Sequence, residues 1–249
     1  MKFEGKVAIV TGSSKGIGLG IARAFAAEGA RVVVCSRTED EGIAAAKELG
    51  SDEGRAKYIR CDVQDLDSLK NLIEESVATF GQIDILVNNA GVLDAGELQD
   101  TDPEQWQTTM NIDLRSQFFG TQYALPYLKE TRGNVINLSS IGGMIGFPKQ
   151  AAYNTVKGAT IALTRALATD LIAFGIRVNT LAPGVTKTPE MDRWVEQNGG
   201  EAFLEEVHKI IPMGRLGTID EIAKGAVYLA DNDYVTGTTL VIDGGITNY

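Results

Sequence analysis

The chain has 249 residues, of which 44% are hydrophobic and 22% charged, a composition ordinary for a globular protein. Its 23 basic and 33 acidic residues give a formal net charge of −10. This balance argues against a nucleic-acid partner, because nucleic-acid binding needs a basic surface. Two cysteines, Cys35 and Cys61, exclude a disulfide framework, and both are interpreted as buried core residues.

The amino-terminal residues lead directly into an apolar strand, so no signal peptide is predicted. No apolar run approaches the roughly 20 residues that span a bilayer, so no membrane association is predicted. We therefore expect a cytoplasmic protein. No spacing of His, Asp or Glu indicates a catalytic metal site, and none is expected.

Apolar strand-like runs alternate with helical patterns along the chain. Strands are predicted at Val7–Val10, Arg31–Cys35, Lys57–Ile59, Ile83–Val87, Asn134–Leu138, Ile176–Asn179 and Thr239–Ile242. The intervening helices are predicted at Ile17–Glu28, Glu39–Leu49, Asp67–Phe80, Pro103–Leu128, Ala152–Phe174 and Ile219–Leu229. Because the strands are apolar nearly throughout, both faces of the sheet should be covered by helices. The pattern predicts one doubly wound α/β domain over residues 1–249, with a seven-stranded parallel sheet.

The stretch from Val185 to Pro212 breaks this alternation. It carries apolar residues on both sides of a polar turn at Asn198-Gly199-Gly200. A segment of this kind after the carboxyl end of a strand is a candidate lid over a site.

A glycine-rich turn, Thr11 to Gly18, joins the first strand to the first helix. Glycines there permit a tight turn and a close approach of backbone amides to a pyrophosphate at the helix N-terminus. Its spacing differs from Gly-x-Gly-x-x-Gly, but its place between a strand and a helix favours dinucleotide binding.

The end of the second strand indicates which dinucleotide is bound. An acidic side chain there would favour the ribose of NAD, whereas this chain has Ser36 and Arg37, with Lys15 in the glycine turn. Two cations favour a 2′-phosphate, so NADP(H) is predicted in preference to NAD(H). The alternative is that Arg37 is a solvated loop charge.

Tyr153 and Lys157 lie four residues apart in a predicted helix, so both side chains share one face. A cation beside a phenol lowers the phenol's pKa towards the working pH. Ser140, thirteen residues before Tyr153, could bind a carbonyl or alcohol oxygen. Together the three groups indicate proton transfer to or from a substrate oxygen.

With these motifs in this order, nearly the whole chain resembles the short-chain dehydrogenase/reductase family. The resemblance implies an oxidoreductase with a Rossmann-type fold and with Ser140, Tyr153 and Lys157 as catalytic residues. It implies cofactor binding by Tyr153, Lys157 and Gly12, Ser14, Lys15, Gly16, Ile17, Gly18, Ser36, Arg37, Asp62, Val63, Asn89, Ala90, Gly91, Pro183, Gly184, Val185 and Thr188. The family's spacing selects Ser140 over its neighbour Ser139. Asp62 could instead be only a turn residue.

One position departs from the family's pattern. Where the family usually has an asparagine linked through water to the lysine, this chain has Asp113. We carry the fourth catalytic role to Asp113, and expect its carboxylate to raise the pKa of Lys157.

Apolar residues predicted at the pocket suggest a ketone or secondary alcohol with apolar surface as the substrate. These residues are Leu93, Met144, Ile145, Phe147, Met191 and Trp194. The alternatives are a 3-oxoacyl carrier-protein reductase, a sugar or polyol dehydrogenase and, from another class, a dinucleotide-binding sensor without enzymatic activity. By resemblance, and from the small residues of the helix at 151–174, we expect a homotetramer.

Overall fold

The computed structural model describes residues 1–93 and 96–248. Its strands are β1 Val7–Val10, β2 Arg31–Ser36, β3 Ala56–Arg60, β4 Ile85–Asn88, β5 Asn134–Leu138, β6 Arg177–Pro183 and β7 Thr239–Ile242. Its helices are α1 Gly16–Ala27, α2 Glu39–Glu48, α3 Leu66–Phe80, α4 Pro103–Met110, α5 Ser116–Thr131, α6 Ala151–Leu171, α7 Pro189–Gln197, α8 Glu201–Ile210 and α9 Ile219–Asp231.

The strands form one parallel sheet in the order β3-β2-β1-β4-β5-β6-β7. One face packs against α1, α2 and α9, and the other against α3, α5 and α6. The predicted fold class is therefore confirmed. The chain order reverses between β1 and β4, which opens a crevice at the carboxyl ends of these strands.

Two of the differences from the predicted elements bear on the site. β6 extends to Pro183, four residues beyond the predicted end, because Leu181 and Ala182 are buried and Thr180–Pro183 pair with β7. The predicted helix from Pro103 to Leu128 is interrupted by a π-helical turn, Asn111–Arg115, between α4 and α5. Such turns insert an extra residue into a helix and occur often at functional sites.

The segment after β6 folds as two helices, α7 and α8. Their apolar sides share a small buried cluster with Ile141, which follows β5, and with Ile246 near the carboxyl end. We call residues 185–212 the lid segment. Among the residues that the structure describes, no helix combines the length and apolar character needed to cross a bilayer.

Candidate active site

The predicted site residues meet at the carboxyl ends of β1, β4, β5 and β6. The first part is the cofactor turn, Thr11–Gly18, between β1 and α1. Gly12 and Gly16 have φ values of +64° and +59°, a backbone region that side chains disfavour. A Cβ on Gly18 would overlap the Gly12 carbonyl oxygen and the Asn89 amide. The turn therefore requires glycine at each position, for two different reasons.

Hydrogen bonds from neighbouring strands fix the shape of the cofactor turn. The Ser13 hydroxyl donates to the Val10 carbonyl (2.5 Å) and accepts from the Cys35 amide (3.2 Å). The Asn89 side chain donates to the carbonyls of Thr11 (2.8 Å) and Gly12 (3.1 Å). The Thr11 hydroxyl accepts from the amides of Asn89 and Ala90, both at 2.9 Å. The hydroxyls of Thr11 and Ser13 were not predicted to have this role, although both residues flank Gly12 in the turn.

The N-terminus of α1 suits an anionic ligand. Its N-cap residue, Lys15, makes no side-chain hydrogen bond to the first turn, whereas Asp65, Asp102 and Thr188 cap α3, α4 and α7 in that way. The free amides and the helix dipole favour negative charge at this end. With the backbone space left by the glycines, this end of the sheet fits the pyrophosphate of a dinucleotide.

Glu41, which was not predicted as a site residue, lies at the corner that would select the cofactor. Arg37 is exposed, and the Ser36 hydroxyl donates to the Thr38 carbonyl (2.8 Å). Lys15 forms an ion pair with Glu41 (3.3 Å), and the Ser14 hydroxyl donates to the other oxygen of that carboxylate (3.3 Å). A carboxylate from α2 therefore shares the corner with the two predicted cations.

Asp62 and Val63 follow β3. One Asp62 carboxylate oxygen accepts from the Gln64 amide (3.1 Å), so the residue does form the turn that was its alternative role. Val63 is buried in the core beside α3. The turn contact occupies one oxygen and is compatible with a ligand at the other.

Tyr153 and Lys157 occupy one face of α6, as their spacing predicts. The Lys157 Nζ atom lies 5.4 Å from the centre of the Tyr153 ring. A Cβ placed on Gly142 would be 3.4 Å from Tyr153 Cε1 and 3.6 Å from Ser140 Oγ, so the phenol ring and the hydroxyl flank the same small space. Tyr153 and Ser140 are both half-buried, within reach of a ligand.

The adjacent serines have different surroundings. The Ser139 hydroxyl is buried and donates to the Lys157 carbonyl (2.7 Å), which ties β5 to α6. The Ser140 hydroxyl accepts from the Gly142 amide (3.1 Å) and faces the space beside Tyr153. This division agrees with the spacing argument that chose Ser140.

Asp113, from the π-helical turn, lies directly against the lysine. Its Oδ1 is 2.7 Å from Lys157 Nζ, and both side chains are almost completely buried. Lys157 also donates to the Leu138 carbonyl (3.2 Å). Burial by itself would lower the pKa of Lys157, but the Asp113 carboxylate and the Tyr153 phenolate outweigh it, so the pKa lies above its usual value. The ammonium therefore stays charged although it is buried.

The predicted pocket residues divide into two groups. Leu93 and Met144 are exposed, with 38% and 48% of their surface accessible. Met191 is buried in the cluster beneath the lid segment, where Trp194 meets Phe203 edge to face at 4.7 Å between ring centres. Phe147 packs against the same cluster. The apolar side chains of the lid segment thus form a wall that includes Ile141, the residue next to Ser140.

The residue before the lid segment, Gly184, is hydrogen-bonded to β7. The Gly184 amide donates to the Ile242 carbonyl (2.8 Å), and a Cβ on Gly184 would come within 2.6 Å of Asp243 Cα. Val185 packs in the lid cluster, and Thr188 caps α7 through the Met191 amide (3.1 Å). Pro183 to Thr188 therefore leaves the sheet at a fixed place beside the site.

Known proteins match this chain over nearly its whole length. A family model described as enoyl-(acyl carrier protein) reductase matches residues 12–247. The chain is 38% identical to a trans-4-hydroxycyclohexanecarboxylate dehydrogenase of Sinomonas cyclohexanicum, over 97% of this chain and 93% of that protein. It is 37% identical to an NADP-dependent (R)-specific alcohol dehydrogenase of Lentilactobacillus kefiri, over 99% and 98%.

A solved structure of a gluconate 5-dehydrogenase from Burkholderia cenocepacia, in complex with NADP and tartrate, superposes with a TM-score of 0.91. The two chains are 35% identical, and the match covers 99% of this chain and 96% of that one. Fold, site and relatives together define a nicotinamide-dependent oxidoreductase that acts on CH–OH groups. The chain belongs to the short-chain dehydrogenase/reductase family.

Proposed function

We propose that the protein interconverts a ketone and a secondary alcohol, both with apolar surface, with Tyr153 as the acid/base residue. The observation that carries this proposal is the convergence of Tyr153 and Ser140 on one small space, with the Lys157 ammonium behind the phenol. A proton donor and a hydrogen-bond donor can there reach the same substrate oxygen.

When bound, the nicotinamide cofactor supplies the hydride for reduction or takes it up in oxidation. In reduction, the Ser140 hydroxyl donates to the carbonyl oxygen and Tyr153 gives its proton as negative charge develops there. In oxidation, the Tyr153 phenolate removes the alcohol proton. Lys157 stabilises that phenolate by its charge and, by family resemblance, binds the nicotinamide ribose.

The lid segment favours a neutral, apolar substrate over the two rival classes. Its buried side is apolar, and its exposed side is mainly acidic, through Glu190, Asp192, Glu196, Glu201, Glu205 and Glu206. An acidic rim disfavours an acidic carrier protein, because like charges repel. The apolar buried side disfavours a sugar or a polyol, whose hydroxyl groups would find no hydrogen-bond partners there. The alcohol substrate in the name of one relative, an (R)-specific alcohol dehydrogenase, agrees with this choice.

We further propose NADP(H) as the preferred cofactor, since Lys15 and Arg37 supply cations where a 2′-phosphate would lie. The names of an NADP-dependent relative and of an NADP-bound structure support this choice. The ratio of kcat/KM values with NADPH and NADH measures the preference, and a ratio below one would contradict it.

A homotetramer is the assembly that we propose. A groove of about 400 Å3 lies between α5 and α6, lined by Met110, Leu114, Phe118, Phe119 and Leu163, among others. Burying this apolar surface against a second copy would favour association. Light scattering at micromolar concentration tests the proposal, and a monomeric mass would contradict it.

The central test is Tyr153→Phe, assayed on alicyclic and aryl ketones, an acetoacetyl thioester and a sugar with both cofactors. Loss of the acid/base group should lower kcat by about 10²–10⁴-fold, with cofactor affinity nearly unchanged. Tyr127→Phe, on α5 and outside the site, is the matched control and should retain normal turnover. Substantial activity in Tyr153→Phe would refute the proposed role. A thioester or a sugar as the best substrate would instead favour one of the rivals.

A further inference from the structure

The Asp113 carboxylate is a buried charged group at the site to which the proposed reaction gives no step. It is fully buried, and it comes from the π-helical turn rather than from a regular helix. Its Oδ1 contacts Lys157 Nζ at 2.7 Å, and its Oδ2 accepts from the Val92 backbone amide at 3.0 Å. Both oxygens therefore have fixed neighbours.

Neighbouring elements pack closely on the pair of Asp113 and Lys157. A Cβ on Gly91 would lie 2.6 Å from Asp113 Oδ1 and 3.3 Å from Lys157 Nζ, so a side chain at position 91 would crowd the pair. On α6, the Thr160 hydroxyl donates to the Asp113 carbonyl (3.3 Å). On β5, the Leu138 carbonyl accepts from Lys157. The ammonium is thus located by two oxygens on different elements.

The titratable groups that act on one another here are Asp113, Lys157 and Tyr153. Because Asp113 and Lys157 form a close pair, the carboxylate offsets part of the positive charge that Lys157 presents to the phenol. An uncharged residue at position 113 would leave the full positive charge of Lys157 facing the ring. Any influence of the carboxylate on the phenol therefore passes through Lys157, which the carboxylate contacts directly.

We propose that Asp113 is a positioning residue that fixes the Lys157 ammonium in place and offsets its charge at Tyr153. The inference rests on the proposed function, because Tyr153 reports it through turnover. It differs from the water-linked role expected from the family's asparagine, since the carboxylate contacts the lysine directly.

Asp113→Asn should change both sides of the pH profile for alcohol oxidation. Oxidation needs the phenolate form of the acid/base residue, so its rate should rise with pH. Without the carboxylate, Lys157 stabilises the phenolate more strongly, and the rising limb should move to lower pH by about one unit. A buried lysine without its partner also loses its proton more easily, so a new decline should appear at alkaline pH.

Two further variants separate charge from packing. Thr160→Val removes a contact with the Asp113 backbone without changing any charge, and both limbs should stay at their wild-type positions. Asp113→Glu keeps the charge and should restore the wild-type rising limb, even where kcat falls. A variant that alters only packing would change kcat without moving either limb.

The measurement is kcat/KM for the best alcohol of the substrate panel between pH 5 and pH 11, with Tyr153→Phe alongside. Unshifted limbs in Asp113→Asn, with Tyr153→Phe inactive, would overturn this inference and leave the proposed function standing. Activity in Tyr153→Phe would overturn the proposed function instead. If Asp113→Asn does not fold, the wild-type enzyme decides: oxidation should persist to about pH 10.5, the usual lysine value, and an alkaline decline below about pH 9 would contradict the proposal.

Discussion

The cofactor turn and the lid segment lie at the same edge of the sheet, yet they are built in opposite ways. In the turn, backbone conformation and close backbone approach determine the shape, through Gly12, Gly16 and Gly18. In the lid segment, apolar side chains such as Met191 and Trp194 determine it by packing on one another. The turn is held by hydrogen bonds to β1, β2 and β4, whereas the lid packs mainly through its own small cluster.

This contrast suggests a division of labour between the two regions. A site whose atoms are backbone amides recognises a ligand shared by many enzymes, because its geometry does not depend on which side chains surround it. A wall of apolar side chains can be changed residue by residue without disturbing the sheet. We therefore expect changes in the turn to affect cofactor binding and changes in the lid to affect substrate binding.

The largest effect should come from Gly18→Ala. The added Cβ would overlap a backbone carbonyl of the turn and the Asn89 side chain, and backbone cannot move aside cheaply. We expect cofactor affinity to fall about 100-fold, which corresponds to about 3 kcal/mol. Cofactor titration by fluorescence measures the change.

Gly16→Ala is the matched control, because a Cβ there meets nothing within 4 Å but must adopt a φ of +59°. It should cost only the conformational strain of about 1–2 kcal/mol. Equal losses in the two variants would show that strain alone, and not close approach, sets the requirement for glycine.

Trp194→Ala should have an intermediate effect, confined to the other region. The half-buried ring would lose its edge-to-face contact with Phe203, and the apolar wall would loosen. We expect KM for an apolar ketone to rise about tenfold, a cost of roughly 1.4 kcal/mol, while the cofactor Kd stays constant. Ile172→Ala, an exposed position beyond the end of α6, serves as the control for loss of apolar surface. If the cofactor Kd rose together with KM, the expected separation of cofactor binding from substrate binding would be wrong.

The same contrast explains how much could be predicted from the sequence. The turn was predictable because a glycine requirement is local and appears directly in the spacing. Ser140, Tyr153 and Lys157 were brought together as expected because a helical repeat and a strand end place them. The position of Asp113 beside Lys157 was anticipated from the family's pattern, but the direct ion pair was not.

The features that escaped prediction depend on tertiary packing. The π-helical turn has no composition signal of its own, so Asn111–Arg115 was included in one long helix. Met191 is buried within the lid segment because it packs in one cluster with Val207 and Ile211, which lie at least sixteen residues further along the chain. The contact between Glu41 and Lys15 joins two elements on either side of β2. None of these can be derived from local periodicity.

The smallest effect should come from Glu41→Gln. This variant tests whether a side chain beside the cofactor turn changes the preference between NADPH and NADH. The Glu41 carboxylate contacts Lys15 and Ser14 and adds negative charge to their corner, so under the proposed use of NADP(H) it would compete with the 2′-phosphate for Lys15. Neutralising it should raise kcat/KM for NADPH and leave the value for NADH nearly unchanged. Because the ion pair is exposed, the gain should be up to about fivefold, and it should shrink at high salt.

Glu39→Gln removes the same charge from the same turn of α2 without touching the Lys15 contact, so it distinguishes direct competition from the general field of the helix. A direct effect predicts that only the variant at position 41 changes the cofactor ratio at physiological ionic strength, because screening reduces the influence of more distant exposed charges. If both variants gave the same gain, the acidic first turn of α2 would act as a whole. If neither changed the ratio, the Glu41 carboxylate would not compete with the cofactor for Lys15.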